Sequence, residues 1–482
     1  MIKRICHNHR QLLLLSISYL AQSAFAACNY EVVVIGAGIS GIAAAKSLKD
    51  SGCNVTVLEG RDRKGGRLWT STVGTTKIDM GASWIHGIGK GADGLKKWNN
   101  KFNPIYQIAR DNNIATVSTW EDEDNAEEAF FWWQGGKTSY DISSFTENFE
   151  QFFKDRQGSA SQTTTLEQLF ANYPMTDNQV NRNMKSFAFG YLFGSDYAAD
   201  PDQISAKYVD TESYFKGAEH IFPDGYVQIP EVLSTGTNIV YERKVVGIDY
   251  SGNKVSISTQ SGATYECDKV IVTVPLGVLK NNIITFTPAL PSGKQSSINS
   301  LGAGLMDKLA LEFSSVFWDA NMDWLDYISD GDSKWVVTLN INKYLQKPIL
   351  LMFNIGKDAL SFASMTDQQV LDSAMATLRI MYPNAPDYVN YKRSNWGQDE
   401  FAYQSYTYIK AGATDEDPGN IASNIDKKVY FAGEHTQFDF LGTVHGAYLS
   451  GLDAARAISQ AWKFKAFASG MISFLMLLTL LF

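Results

Sequence analysis

The stretch that most restricts the fold is "YEVVVIGAGISGIAAAKSLKDSGCNVTVLEG", residues 30–60. An apolar run over residues 31–35 predicts a buried strand that turns at Gly36. Gly36, Gly38 and Gly41, with Ser40 between them, then open a helix whose alanines permit close packing on a sheet. A second predicted strand, Asn54 to Leu58, ends at Glu59, a carboxylate placed to accept hydrogen bonds from a ribose. Three glycines alone are weak evidence of a dinucleotide site. Set in a strand, turn and helix with an acid at this distance, they are strong evidence, because the turn lets a pyrophosphate approach the helix amino terminus.

FAD and NAD share this opening, so the choice between them falls to the next residues of the chain. Residues 60–70, "GRDRKGGRLWT", add a second glycine turn at Gly66 and a rigid guanidinium at Arg67 able to neutralise a pyrophosphate oxygen. Next comes "GASWIHGIGKG", which carries Gly81, Ala82, Ser83, Trp84 and His86.

At 482 residues, with 45% apolar and 19% charged residues, the chain has the composition of a folded protein of two to four domains. A net charge of -9 argues against a general nucleic-acid binder. Residues 1–26 combine a basic start, an apolar run from Leu12 to Ala21 and small residues Ala24 and Ala26, which predicts a secretory signal peptide. Cleavage after Ala26 leaves Cys28, Cys53 and Cys267, one pair of which can bridge, and the sequence does not choose it. Residues 466–482 are uncharged and mainly apolar, which predicts membrane attachment by a marginal span or a lipid-anchor signal. The predicted location is the secretory pathway, secreted or attached to a membrane. The sequon Asn54-Val55-Thr56 falls in a predicted core strand, which argues against glycosylation there.

Together with "TVPLGVLK" (273–280), "GLMDKLALEF" (304–313) and "VYFAGEHTQFDFLGTVHGAYLSG" (429–451), these motifs resemble the flavin-dependent amine oxidase family. Within it they are most similar to the polyamine oxidase branch, which includes spermine and acetylpolyamine oxidases. The resemblance runs from about residue 30 to residue 460. It implies an α/β fold: an FAD-binding Rossmann-like domain assembled from residues 28–100, 226–300 and 411–461, with an interleaved α+β substrate domain from residues 101–225 and 301–410. The cofactor implied is FAD, with no metal. The partners implied are a small cationic amine and O2.

By the same resemblance, further cofactor contacts fall on Val246, Pro275, Trp396, Gly433, Glu434, Gly442, Thr443 and Val444. Glu434 is expected to meet ribitol or ribose. Gly442 and Thr443 introduce a last helix whose N–H groups face the flavin. Lys308 is expected to hold a water near flavin N5, and His86 to contact the substrate nitrogen or manage its proton. Trp396, Tyr406 and Thr443 are expected to wall the amine path, with Thr443 and Gln404 departing from the residues usual in relatives. Asp196 is a candidate partner for a second cation, and the acidic run from Glu121 to Glu128 is expected to face solvent.

The activity implied is oxidation of a polyamine C–N bond by hydride transfer to flavin N5. Imine hydrolysis then gives aldehyde and amine, and O2 is reduced to H2O2. Three alternatives stay open: a monoamine oxidase, an L-amino-acid oxidase using Arg393 for the substrate carboxylate, and a noncatalytic FAD-binding structural protein.

Overall fold

The structure is a computed structural model that describes residues 28–459 apart from 121–128, 134–135, 138–141 and 330–333. The predicted signal peptide, the apolar tail and the acidic run from Glu121 lie outside the described residues.

A five-stranded parallel sheet takes its strands from three distant parts of the chain. Its order is Asn238–Val240, Asn54–Leu58, Glu31–Ile35, Lys269–Val272, Val429–Phe431. Both faces are covered, so Val32 to Ile35 read as a continuous apolar run rather than an alternating one, all four buried. Val32 and Val34 pack on one side, in the core shared with helix Ile39–Asp50. Val33 and Ile35 pack on the other, against a mixed sheet ordered Thr264–Cys267, Val255–Thr259, Val245–Asp249, Thr285–Thr287. The chain leaves Glu31–Ile35 toward Asn54–Leu58 on one side, while Lys269–Val272 lies on the other. That reversal opens a crevice at the carboxyl ends of the strands, where ligands of such sheets sit.

A larger seven-stranded sheet carries the rest. Its order is Asn390–Arg393, Met306–Glu312, Ile349–Ile355, Val337–Asn340, Trp324–Tyr327, Ala129–Trp133, Gly136–Lys137. Alternation divides its faces: Leu309 and Leu311 pack with helix Asp367–Met381, while Ala310 joins a core that includes Met184 and Phe187 of helix Gln179–Phe189. Lys308 has the parity of Ala310.

The two ends of the chain meet at the dinucleotide turn. A Cβ on Gly41 would lie 2.0 Å from Gly36 O, and one on Gly451 would lie 2.1 Å from Ser40 O. Both glycines therefore exist for close backbone approach rather than for contact with a ligand. Ser40 Oγ and Ser450 Oγ are 3.1 Å apart, so the first helix and the last, residues 444–459, are joined directly. Cys28 is bonded to Cys53, fastening the start of the described chain to the base of the second strand; Cys267 is free and buried.

Candidate active site

One cavity of about 810 Å³ runs from the glycine turn into the space between the two large sheets. Of the residues expected to contact cofactor or substrate, all line it except Gly41 and Val246. Gly41 is consumed in helix packing, as above. Val246 does not line the cavity but its neighbour Val245 does, in a strand that is irregular between Val245 and Gly247.

At the glycine end, Glu59 is buried and its two carboxylate oxygens each take one backbone donor, from Ala37 N–H at 2.6 Å and Arg61 N–H at 2.8 Å. Burial raises its pKa above the usual carboxylate value, only partly offset by those bonds and by Arg61 and Arg63. Each oxygen keeps a lone pair for a further donor. Helix Ile39–Asp50 begins beside it with no side-chain cap and no acid in its first turn, so its leading N–H groups face the cavity unpaired.

In the middle stands Lys308, 6% exposed. Its Nζ donates to Asp79 O at 3.2 Å, Gly81 O at 2.6 Å and Ser83 Oγ at 2.6 Å, and lies 5.4 Å from the Trp84 ring and 5.5 Å from that of Phe353. Burial holds its pKa below that of a free lysine, opposed by the Asp79 carboxylate, which burial in turn holds high. These three acceptors match the three protons of an ammonium, so a bridging water must share or replace one of them. Asp307, next along the strand, points to the opposite face and holds the backbone at Trp396: it accepts the Trp396 backbone N–H at 2.9 Å and Ser394 Oγ–H at 2.6 Å, while the indole Nε1 of Trp396 donates to Met80 O at 3.1 Å.

The far end is acidic. His86, Asp196, Glu212, Tyr214 and Glu219 line it, and Asp210 stands close behind. His86 Nδ1 is 2.7 Å from Glu219 Oε2. Burial pulls the His86 pKa down, but the charge and hydrogen bond of Glu219 and the charge of Asp196 outweigh it, and the net shift is upward. Asp196 is pushed up to about 7 by burial and then by Asp210, and Glu212 to about 7 by burial first. Asp196 follows a π-helical turn, Gly190–Gly194, which hands the chain into this wall. Tyr406 adds an aromatic side, its hydroxyl donating to Ser195 O.

Residues 39–459 match the family of flavin containing amine oxidoreductases. The chain belongs to that family. Its relatives include Polyamine oxidase 4 of Oryza sativa subsp. japonica, 33% identical over 88% of this chain and 87% of the relative. Polyamine oxidase 2 of Arabidopsis thaliana is 32% identical over 88% and 87%, and human Lysine-specific histone demethylase 2 is 31% identical over 89% of this chain and 53% of its own length.

A flavin containing amine oxidoreductase binds FAD, and the glycine end fits that cofactor. Glu59 offers spare acceptors to a diol, the uncapped helix offers N–H groups to a pyrophosphate, and Gly66 turns with φ +60° so that even a Cβ there would lie 3.3 Å from Gly38 Cα. Glu434 lines the cavity at this end. Its carboxylate, 4% exposed, accepts from Arg67 at 2.9 Å, Gln404 Nε2 at 3.2 Å, Thr407 Oγ1 at 2.9 Å, Thr407 N at 3.3 Å and Gly442 N at 3.2 Å. Five donors meet it, so its carboxylate ties the cofactor wall together. Arg67 is held by the same bond and by Ser405 O at 2.7 Å. Thr443 accepts Gly446 N–H at 3.0 Å and donates to Phe440 O, so its hydroxyl shapes the start of the last helix.

His445 and His435 are buried, and burial lowers both pKa values, that of His435 to about 4; each stays neutral. Arg393 is turned away from the cavity, paired with Asp367 at 2.7 Å and donating to Met365 O. Residue-by-residue reading missed Glu212, Glu219, Asp79 and Tyr214. "DTESYF" and "GAEHIF" carry no local pattern that separates these acids from surface ones.

Proposed function

We propose that this FAD-dependent oxidoreductase oxidises a polyamine, giving an aldehyde, a shorter amine and H2O2. The observation that supports it is the acidic end of the cavity: Asp196, Glu212 and Glu219 line it, and the one titratable cation they face there among the described residues is His86. A second ammonium on the substrate meets carboxylates at that end, whereas among the described residues no arginine lines that end to meet an amino-acid carboxylate, and Arg393 is engaged elsewhere. Bound FAD supplies two-electron acceptance from the carbon beside nitrogen and its return to O2. The protein aligns that carbon in an aromatic channel walled by Trp396 and Tyr406, which disfavours the ammonium form of the reacting nitrogen and excludes water. Lys308 holds the chain of Asp79, Gly81 and Ser83 in place beside it and has a proton to lend.

We assign cofactor binding to residues 28–100, 226–300 and 411–461 and the amine path to 101–225 and 301–410, in keeping with the origins of the two large sheets. We also propose passage through the secretory pathway with attachment by the apolar tail, for which the Cys28–Cys53 bridge is support, since such bonds persist in oxidising compartments. The test is anaerobic flavin bleaching by spermine, spermidine, N1-acetylspermine, simple monoamines and free amino acids, and then a peroxide assay in air. Bleaching by monoamines or amino acids alone overturns the polyamine reading.

A further inference from the structure

We infer that Glu219 is the positioning residue of His86, holding the imidazole with its proton on Nδ1 so that Nε2 opens to the cavity as acceptor for a substrate ammonium proton. This rests on reading the cavity as an amine site.

The local fold brings the pair together. Strand Trp84–Ile85 runs antiparallel to Glu219–Ile221, with Ile85 opposite His220, so residues 86 and 219 face each other at the next rung. One carboxylate then holds two groups: Oε2 lies 2.7 Å from His86 Nδ1, and Oε1 accepts the N–H of Gly87 at 3.0 Å. Asn103 Nδ2 donates to His86 O at 2.9 Å, which fixes the other side of the residue. An ionised carboxylate only accepts, so the Nδ1 it meets carries the proton and the remaining lone pair is on Nε2. About half of the His86 side chain faces open cavity, 48% by relative exposure, and with Nδ1 committed, Nε2 is the nitrogen left to a ligand.

The charged and titratable groups around this ring come from separate parts of the chain. Glu219 stands on its strand, and Asp196 follows Gly190–Gly194 with Asp210 and Glu212 behind it. His445 of the last helix lies 6.5 Å away ring to ring, kept neutral by burial, while His220 turns its Nδ1 to Thr116 instead. The neighbours are thus carboxylates or neutral rings, a setting that favours an imidazolium once formed.

The proton step balances. The N–H bond of the substrate ammonium breaks, a bond to Nε2 forms, and the amine keeps the electron pair. His86 becomes imidazolium with Nδ1–H still on Glu219, which neither gains nor loses a proton. The freed nitrogen lone pair is what oxidation at the neighbouring carbon requires.

Glu219→Gln in the full, FAD-loaded chain tests this. Its amide oxygen still accepts from Gly87, but the charge is gone. Histidines labelled with 13C at Cε1 are titrated by NMR, with the His86 signal assigned by its loss in His86→Ala. We expect the His86 midpoint to move to lower pH, FAD content to hold, and kcat/KM for the amine to fall about tenfold with its acid limb moving the same way. Glu219→Asp, which keeps the charge and loses reach, should fall between, and gives the same readings should Glu219→Gln lose FAD. Combined with His86→Ala, Glu219→Gln should add no further loss. An unmoved midpoint, or full additivity in the double variant, overturns the inference. If no amine bleaches the flavin, the amine reading fails by itself while the NMR midpoint still decides what Glu219 does.

Discussion

Replacing Lys308 by Met removes the ammonium while nearly keeping the length of the side chain. Of its three acceptors, Asp79 O retains the Ser83 hydroxyl at 3.2 Å, and Ser83 stays engaged through that same bond. Gly81 O loses the donor that stood at 2.6 Å. One orphaned buried carbonyl costs about 1–3 kcal/mol, and it is offset by no longer burying a charge. The variant should therefore fold and keep FAD. Its chemistry should suffer more, because a positioned proton donor or acceptor is worth roughly a hundredfold or more in rate. Asp79, already held high by burial, also loses the cation that lowered its pKa. An acid whose folded pKa exceeds its unfolded value holds more protons folded than unfolded between the two, so stability falls as pH rises through that interval. In Lys308→Met the interval extends upward, and melting temperature should decline with pH over a wider range than in the parent. Stopped-flow measurement separates the two half-reactions: anaerobic bleaching by amine, then recovery on mixing with O2. FAD retained with both rates unchanged would refute the role given to Lys308.

The acidic end should bind cations with a defined proton signature. Asp196 and Glu212 both titrate near about 7, so at pH 6 they are largely protonated, and a non-oxidisable diamine should expel protons on binding and bind more tightly as pH rises through 7. Calorimetry in buffers of different ionisation heat reads this directly; proton uptake would count against the assignment, and Asp196→Asn with Glu212→Gln should abolish the release and raise KM for polyamines over monoamines. Glu434→Gln turns one acceptor into a donor among Arg67, Gln404 and Thr407, and should cost about 3–5 kcal/mol together with loss of FAD on gel filtration. Full FAD retention would show that the carboxylate does not tie the wall. Cys28→Ser opens a bridge across 25 residues, and should lower stability by about 3 kcal/mol, seen as a melting temperature that becomes insensitive to reductant.

How much of this was legible in the sequence depends on the range of the interactions that place each residue. The turn at Gly36 and the acid at Glu59 are local: period-2 and helical patterning fix them within thirty residues, and the structure joins them by the Ala37 to Glu59 bond. Matching motifs also located Lys308, Trp396 and Tyr406 on the cavity wall, though not the three acceptors of the ammonium, which come from residues 79–83 across a sheet boundary. At Val246 the strand is irregular between Val245 and Gly247, so period-2 reading does not tell which of the two valines lines the cavity. Glu434 shows what long-range contacts add. The sequence placed it at the cofactor, but the use of its carboxylate is decided by Arg67, Gln404 and Thr407, and the first of these is 367 residues away. Glu219 was invisible for the same reason, because only the pairing of Trp84–Ile85 with Glu219–Ile221 makes it a neighbour of His86. The cofactor half is thus written in local backbone requirements that any chain binding a dinucleotide must meet. The amine half is written in charges brought together by long-range pairing. Those carboxylates line the end of the cavity away from the glycine turn, so substrate choice is to be sought in variants of Asp196, Glu212 and Glu219.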